Sequence, residues 1–279
     1  MKSRRFVQCD VFTSVPTKGN ALAVVVDGDG LTDEQMQGFA RWTNLAETTF
    51  LMKPTDERAD YRVRIFTPLR EMPFAGHPTL GSCITWLQAG GVPGNPNVVR
   101  QECGVGIVEI DMSGPAPAFA APPTEIKSMR DGEKARIMDR LGLQDDQVLT
   151  TAELTNGPVW QVFELDCADS VLAVDSSNVR WPEYKAIGLI GKNNDDRETD
   201  YEVRMLAPSS GMSEDPITGS LNAAIACWFR ETGRLEKSLL ISQGTKIGRS
   251  GRVSVRTSPG GPILIGGEVH ILIKGEVTL

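Results

Sequence analysis

A short pattern of residues occurs twice in this chain of 279 residues and constrains its fold more than any other feature. His77-Pro78-Thr79-Leu80-Gly81-Ser82 and Asp215-Pro216-Ile217-Thr218-Gly219-Ser220 share the frame X-Pro-X-X-Gly-Ser, and 138 positions separate His77 from Asp215. A strand-like lead-in (residues 64–68 and 204–208) precedes each copy, and an apolar run follows it. The order strand, turn and helix therefore occurs twice, which predicts two domains of similar build.

The frame itself predicts how each helix begins. A polar residue before Pro, at the start of an apolar run, is typical of an N-cap followed by Pro at the first helical position. We therefore expect His77 and Asp215 to cap helices over residues 78–89 and 216–232. The first backbone N–H groups of a helix have no partner within it and attract anions. If the N-terminal ends of the two helices faced each other, they would hold a small carboxylate. The alternative interpretation is that both are ordinary capped helices.

Composition excludes several classes of protein. The chain is 40% hydrophobic and 23% charged, as in soluble globular proteins. Its net charge of −7 argues against a nucleic-acid or anionic membrane partner. Five widely spread cysteines, two histidines and no recognisable membrane span or signal peptide predict a cytoplasmic protein without a structural metal.

The remaining pattern predicts many strands and few helices. Thr32 is expected to cap a surface helix whose apolar face includes Met36 and Phe39. Two other helices, after the repeated frames, are apolar on most sides and should be enclosed by strands. We therefore predict an α+β fold with domains over residues 1–117 and 118–279, in which the last strand crosses back to the first domain.

Several further segments resemble a known family when they are taken together and in order. They are Asp10-Val11-Phe12-Thr13, Gly19-Asn20-Ala21-Leu22, Glu47-Thr48-Thr49-Phe50, Pro73-Phe74-Ala75-Gly76-His77-Pro78-Thr79, Glu214-Asp215-Pro216-Ile217-Thr218-Gly219-Ser220 and Gln243-Gly244. This set is similar to the phenazine-biosynthesis isomerase family (PhzF-like), from about residue 6 to the C-terminus. The resemblance implies the diaminopimelate-epimerase fold, with a curled, mainly antiparallel, barrel-like sheet around a central helix in each domain. It also implies an active site between the domains, cofactor-independent isomerase chemistry and a homodimer.

The resemblance assigns roles to eight residues. Glu47 corresponds to the proton-shuttling acid/base, and His77 and Asp215 correspond to the polar pair beside the substrate. The remaining positions are substrate contacts, namely Asn20, Gly76, Thr218, Gly219 and Ser220. Related epimerases use two cysteines near the starts of the central helices. Here Cys83 and Cys227 lie deeper in the apolar runs, so we expect them to be core residues and a two-thiol racemase to be disfavoured.

Proton transfer between two carbons of an unsaturated acid needs one group that accepts the proton and returns it. A free Glu titrates near ~4.3, so Glu47 would need partial desolvation, for example beside Phe50. The sequence therefore favours an isomerase of a small carboxylate, similar to trans-2,3-dihydro-3-hydroxyanthranilate isomerase. Two alternatives stay open: a racemase or epimerase that uses Glu47 and His77 as its two bases, and a non-catalytic carboxylate-binding protein. Hydride transfer is disfavoured because no G-x-G-x-x-G pattern follows a strand.

Overall fold

The computed structural model describes residues 1–177, 181, 185–207, 214–257 and 260–279. Pro208, the last residue of the second lead-in, lies outside these ranges. The chain forms two compact units: residues 1–120 with 266–279, and residues 121–265. The domain boundary expected after residue 117 stays a prediction. Within the described ranges, no helix is long and apolar enough to cross a lipid bilayer.

The first unit contains two helices, and more of its residues lie in strands than in helices; elements are numbered along the whole chain. Its elements are β1 (Ser3–Val11), β2 (Asn20–Val25), α1 (Asp33–Thr43), β3 (Glu47–Met52), β4 (Tyr61–Phe66), β5 (Glu71–Met72), α2 (Gly76–Gln88), β6 (Val98–Cys103), β7 (Gly106–Asp111), β8 (Ala118–Ala120) and the terminal β18 (Val269–Thr278). The strand pairings run β18-β1-β2-β3-β4-β6-β7-β8, with β5 also paired to β4. Only β2–β3 and β4–β6 of these pairs are parallel.

The helix α2 lies at the centre of this unit. It contacts β1, β2, β3, β4, β6, β8 and β18, so strands surround it. Gly81 allows this close approach, because a Cβ there would lie 2.6 Å from Cδ2 of Leu22 and 3.0 Å from Sγ of Cys9. The apolar character of the run after the first frame therefore reflects burial on nearly all sides.

The helix α1 packs on the sheet by one face only. Thr32 caps it through a capping box with Gln35, and Met36, Phe39 and Ala40 are buried. Met36 and Phe39 join an apolar cluster that includes Val25, Phe50 and Phe66. The predicted cap and apolar face of this helix are confirmed.

The second unit has the same kind of construction. Its elements are β9 (Glu125–Lys127), α3 (Asp131–Leu141), a 3-10 turn (Asp145–Gln147), β10 (Val148–Thr155), β11 (Val159–Leu165), α4 (Ala168–Ala173), β12 (Ile187–Lys192), β13 (Tyr201–Leu206), β14 (Glu214–Asp215), α5 (Gly219–Glu231), β15 (Leu239–Gln243), a 3-10 turn (Thr245–Ile247), β16 (Gly251–Arg256) and, at the boundary, β17 (Leu264–Gly266). The strand pairings run β9-β10-β11-β12-β13-β15-β16, with β14 also on β13.

The two units repeat one pairing scheme. The sequence antiparallel, parallel, antiparallel, parallel, antiparallel describes β1-β2-β3-β4-β6-β7 and equally β10-β11-β12-β13-β15-β16. Each unit holds one largely buried helix of 13 residues, α2 or α5. The predicted α+β fold, with a mainly antiparallel sheet and a central helix in each half, is confirmed.

The expected helix starts were wrong in both copies. The helix α2 begins at Gly76 with Ala75 as N-cap, so His77 lies inside the helix and Pro78 is its third residue. Pro is tolerated there because the N–H groups of the first turn have no helical acceptor. In the second copy the helix begins at Gly219, with Thr218 as N-cap.

Asp215 consequently lies in the short strand β14 and does not cap a helix. The matching positions are Gly76 and Gly219, 143 positions apart, and the two helices end at Gln88 and Glu231 in the same register. The sequence frame with its spacing of 138 therefore aligns residues that have different structural roles.

Candidate active site

Glu47 is the first residue of β3, at the end where that strand leaves α1. Its backbone pairs with Leu22 of the parallel neighbour β2, and its side chain is 17% exposed. Thr48 and Thr49, which follow it, are fully buried, as is Phe50. The carboxyl group therefore lies at the boundary between the packed interior of the unit and its surface, which meets the expectation of partial desolvation.

His77 lies beside Glu47. It is the second residue of α2, its side chain is 7% exposed, and its Nε2 is 3.3 Å from Oε2 of Glu47. Burial lowers the pKa of His77 to about 3, because the charged imidazolium would lose its hydration. At neutral pH the contact therefore joins a carboxyl group to a neutral imidazole and is not an ion pair.

Buried hydroxyl groups fix β3 against its neighbours. Ser82 Oγ of α2 donates to Thr49 Oγ1 over 2.9 Å, which ties the strand of Glu47 to the helix of His77. Thr48 and Thr43 share a second hydroxyl contact of 2.9 Å. Because buried hydroxyls are costly to separate, these bonds restrict the movement of Glu47 relative to His77.

Asn20 and Gly76 complete the predicted residues of the first unit. Gly76 is buried at the start of α2, next to His77. Asn20 is the buried first residue of β2 and pairs with Val11 of β1. The turn before it is fixed by Asp10, whose Oδ2 accepts from the N–H of Gly19 over 2.9 Å.

The other four predicted residues lie together in the second unit. Asp215 ends β14, and its Oδ2 accepts a hydrogen bond from the hydroxyl of Thr218. Gly219 and Ser220 are the first two residues of α5. The carbonyl of Ser220 accepts from Nδ2 of Asn156 over 2.8 Å, so the first turn of this helix is held by the β10–β11 hairpin.

Both central helices begin without a capping side chain. Neither Ala75 nor Thr218 makes a side-chain cap hydrogen bond. The N–H groups of both first turns, which carry the positive end of each helix dipole, are thus not covered by a cap. Such helix ends bind carboxylates and phosphates.

Cys83 and Cys227 are both buried, as expected for core residues. Burial raises the pKa of the Cys83 thiol to about 12, which opposes formation of a thiolate. Among the residues that the structure describes, no group of three His, Cys, Asp or Glu side chains could hold a metal ion.

Sequence reasoning gave no role to two buried glutamines. The side-chain amide of Gln101 lies near the start of α2, where its Nε2 donates to Thr79 Oγ1 over 3.1 Å. Gln243 contacts Thr218 and Asn222 at the start of α5. Both follow the central helix of their unit, in β6 and β15. In the sequence, only the Gln243-Gly244 pair of the family resemblance pointed to one of these glutamines, and that pair did not indicate which groups the Gln243 amide contacts.

Comparison with known proteins identifies the family. A family model described as phenazine biosynthesis-like protein matches residues 9–275. The chain belongs to this family. It is 35% identical to antisense-enhancing sequence 1 of Schizosaccharomyces pombe, with 99% of each chain covered. It is 31% identical to trans-2,3-dihydro-3-hydroxyanthranilate isomerase of Pseudomonas fluorescens, covering 88% of this chain and 87% of that protein.

Solved structures agree with this assignment at the level of the fold. The crystal structure of a PhzF-family protein from Bacillus anthracis superimposes with a TM-score of 0.85 at 24% identity, over 100% of both chains. A hydroxyproline epimerase from Agrobacterium vitis superimposes with a TM-score of 0.61 at 12% identity, over 99% of this chain and 92% of that one. The fold is thus shared with epimerases, and membership of the family makes this PhzF-like protein an isomerase.

Proposed function

We propose that the protein moves a proton within a small unsaturated carboxylate, with Glu47 as the group that accepts and returns it. His77 orients Glu47 and donates a hydrogen bond to the substrate, and Asp215 polarises the substrate. The N–H groups at the start of a central helix bind the substrate carboxylate, and Asn20, Gly76, Thr218, Gly219 and Ser220 are contact positions. No cofactor takes part in this scheme.

The observation that carries the proposal is the 3.3 Å contact between Glu47 and His77. A neutral imidazole beside a carboxylate does not neutralise its charge, so Glu47 can act as a carboxylate that takes a proton from carbon. The partial burial of the Glu47 side chain keeps bulk water away from part of the carboxyl group.

The same distance favours double-bond migration over epimerisation by these two groups. Two bases that exchange a proton across one carbon must lie on opposite faces of that carbon, and 3.3 Å leaves no room for an atom between them. One carboxyl group acting on two carbons of the same face meets no such obstacle.

The names of the relatives support a proposal for the substrate class. Those named trans-2,3-dihydro-3-hydroxyanthranilate isomerase act on a cyclic amino acid with a carboxylate, and the uncapped helix starts suit such a carboxylate. We propose a substrate of this type for the present protein.

The experiment is incubation of the purified protein with trans-2,3-dihydro-3-hydroxyanthranilate in D₂O. A change in ultraviolet absorbance together with deuterium at carbon, seen by proton NMR, is expected. Deuterium at one stereocentre with inversion and unchanged absorbance would instead indicate an epimerase. If neither signal exceeds that of a protein-free sample for a panel of such acids, the proposed function is wrong.

We further propose a cytoplasmic homodimer, in line with the family resemblance. Sedimentation velocity at micromolar concentration distinguishes a dimer of 30.3 kDa chains from a monomer. Activity that survives EDTA and exhaustive dialysis supports the absence of a cofactor.

A further inference from the structure

The amide of Gln243 uses all of its hydrogen-bonding capacity at the start of α5. Its Oε1 accepts from the N–H of Thr218 over 3.1 Å and from Nδ2 of Asn222 over 2.8 Å. Its Nε2 donates to Oγ1 of Thr218 over 3.0 Å and to the carbonyl of Asp215 over 3.3 Å. The side chain is fully buried. One amide therefore holds both ends of the turn between β14 and α5.

The orientation of this amide follows from its partners. A backbone N–H can only donate, so the atom that faces the N–H of Thr218 must be the oxygen of Gln243. The NH₂ group then points at the hydroxyl and carbonyl oxygens. The assignment of oxygen and nitrogen is thus fixed by contacts on both sides.

That orientation decides where the hydroxyl proton of Thr218 goes. Oγ1 of Thr218 carries a single proton and already accepts from Gln243. Its other hydrogen-bond contact within the described part of the chain is Oδ2 of Asp215, to which it donates. Gln243, through Thr218, therefore presents a hydrogen-bond donor to the carboxyl group of Asp215 and holds that group as an acceptor.

The backbone next to Gln243 reinforces this arrangement. Gly244 has φ of +88°, and a Cβ on it would lie 2.6 Å from the carbonyl oxygen of Pro216. The end of β15 thus lies directly against the turn that carries Asp215. A side chain at position 244 would push the two segments apart.

We propose that Gln243 is a positioning residue, which acts through the Thr218 hydroxyl to fix the orientation of Asp215. This role rests on the proposed function, in which Asp215 polarises the substrate. The role depends on the hydrogen bond that Gln243 donates to Thr218, and the volume that the side chain fills is secondary.

The first unit supplies a matched control. Gln101 is also fully buried in the strand after a central helix. Its Nε2 donates to Thr79, the fourth residue of α2, as Gln243 contacts Asn222, the fourth residue of α5. Its Oε1 accepts from the hydroxyl of Tyr61 over 2.8 Å. Its partners are hydroxyl groups. Replacing Gln101 by glutamate therefore disturbs a similar buried amide but leaves the hydrogen bond from Thr218 to Asp215 unchanged.

The test is Gln243→Glu, which keeps the shape of the side chain and removes its donor. The Thr218 hydroxyl must then donate to the introduced carboxylate and leaves Asp215. We expect kcat for deuterium incorporation into trans-2,3-dihydro-3-hydroxyanthranilate to fall by about 10- to 100-fold, the value of one hydrogen bond to a charged group, with KM within about threefold. Gln101→Glu should lower kcat by less than about threefold at a comparable loss of Tm.

A double-mutant cycle makes the test specific. Thr218→Val removes the same donor and should cause a similar loss, and Gln243→Glu combined with Thr218→Val should lose no more than either alone. Multiplying losses would overturn the proposal, and so would a Gln243→Glu protein that keeps wild-type kcat or loses no more than Gln101→Glu.

A second measurement does not depend on activity. Hydrogen exchange of the Thr218 amide should be about tenfold faster in Gln243→Met than in the wild type, because its acceptor is lost. If the wild type transfers no deuterium to any substrate, the proposed function fails, and faster exchange still supports Gln243 as the group that fixes this turn. Unchanged exchange overturns the inference whatever the activity.

Discussion

Nε2 of His77 lies 3.3 Å from Oε2 of Glu47, and this contact joins the second residue of α2 to the first residue of β3. Burial keeps the imidazole neutral, since it lowers the pKa of His77 to about 3. The pair therefore places a carboxyl group against an uncharged imidazole, which is the arrangement that the proposed role of Glu47 uses.

The first prediction concerns Glu47→Gln. The amide keeps the shape of the side chain but cannot accept a proton from carbon, so the rate of deuterium incorporation should fall by about 10²- to 10⁴-fold. Proton NMR in D₂O measures the rate, and circular dichroism checks the fold. Glu109→Gln, at a side chain 61% exposed, serves as the control and should keep full activity. Turnover at the wild-type rate in Glu47→Gln would remove Glu47 from the mechanism.

The second prediction concerns the pH dependence of stability. The pKa of His77 is about 3 in the folded protein, against about 6.5 for a free histidine, so the unfolded chain takes up a proton first as the pH falls. The contribution of His77 to stability is complete above about pH 6.5 and is lost toward pH 3, by up to about 1.4 kcal/mol per pH unit.

His77→Gln lacks this titration. The difference in free energy of unfolding between wild type and variant should shrink by about 2 kcal/mol between pH 7.5 and pH 5, in urea titrations at both values. A difference that stays constant over this range would show that His77 titrates normally in the folded state.

The third prediction compares two helical glycines. Gly81→Ala places a methyl group 2.6 Å from Cδ2 of Leu22 in a buried region and should lower the free energy of unfolding by about 1–3 kcal/mol. Gly38→Ala lies on the exposed side of α1, with no atom within 4 Å, and should raise it by about 0.5–1 kcal/mol through helix propensity. Chemical denaturation measures both. Equal effects at the two sites would contradict the close packing of α2.

The fourth prediction compares two arginine–glutamate pairs at matching places in the two units. Arg204 and Glu214 are 2.8 Å apart, with side chains only 1% and 3% exposed, whereas Glu71, which pairs with Arg64, is 42% exposed. Glu214→Ala leaves a buried guanidinium without its carboxylate and should cost about 3–5 kcal/mol. Glu71→Ala should cost no more than about 1 kcal/mol. Similar losses of Tm in the two variants would argue against this difference in burial.

Some elements could be predicted because their signals are local. The cap of α1 depends on Thr32 and Gln35, three residues apart, and its buried face follows from the spacing of Met36, Phe39 and Ala40. The burial of both central helices followed from their apolar composition on all sides. Such features depend on neighbouring residues, so a single sequence contains the information.

The starts of α2 and α5 could not be predicted in the same way. Both frames carry the same local pattern, yet Pro78 lies inside its helix while Pro216 lies before one. The strand pairing that precedes each helix is the same, because β5 pairs with β4 as β14 pairs with β13, so the two prolines occupy different positions within one arrangement. In the second unit this arrangement is held by Gln243, which contacts Thr218 from 25 residues away. A favourable N-cap contributes about 1 kcal/mol to stability, and several tertiary contacts together contribute more than this.

The amino-acid sequence by itself determined the duplicated α+β architecture and the identity of the central helices, because these depend on hydrophobic periodicity and on the order of motifs along the chain. Only the tertiary structure decided that His77 lies against Glu47, that Asp215 belongs to a strand, and that Gln243 directs the Thr218 hydroxyl. Those relationships join segments far apart in sequence, and their geometry is fixed by burial and by hydrogen bonds that exist only once the sheet has wrapped around each helix.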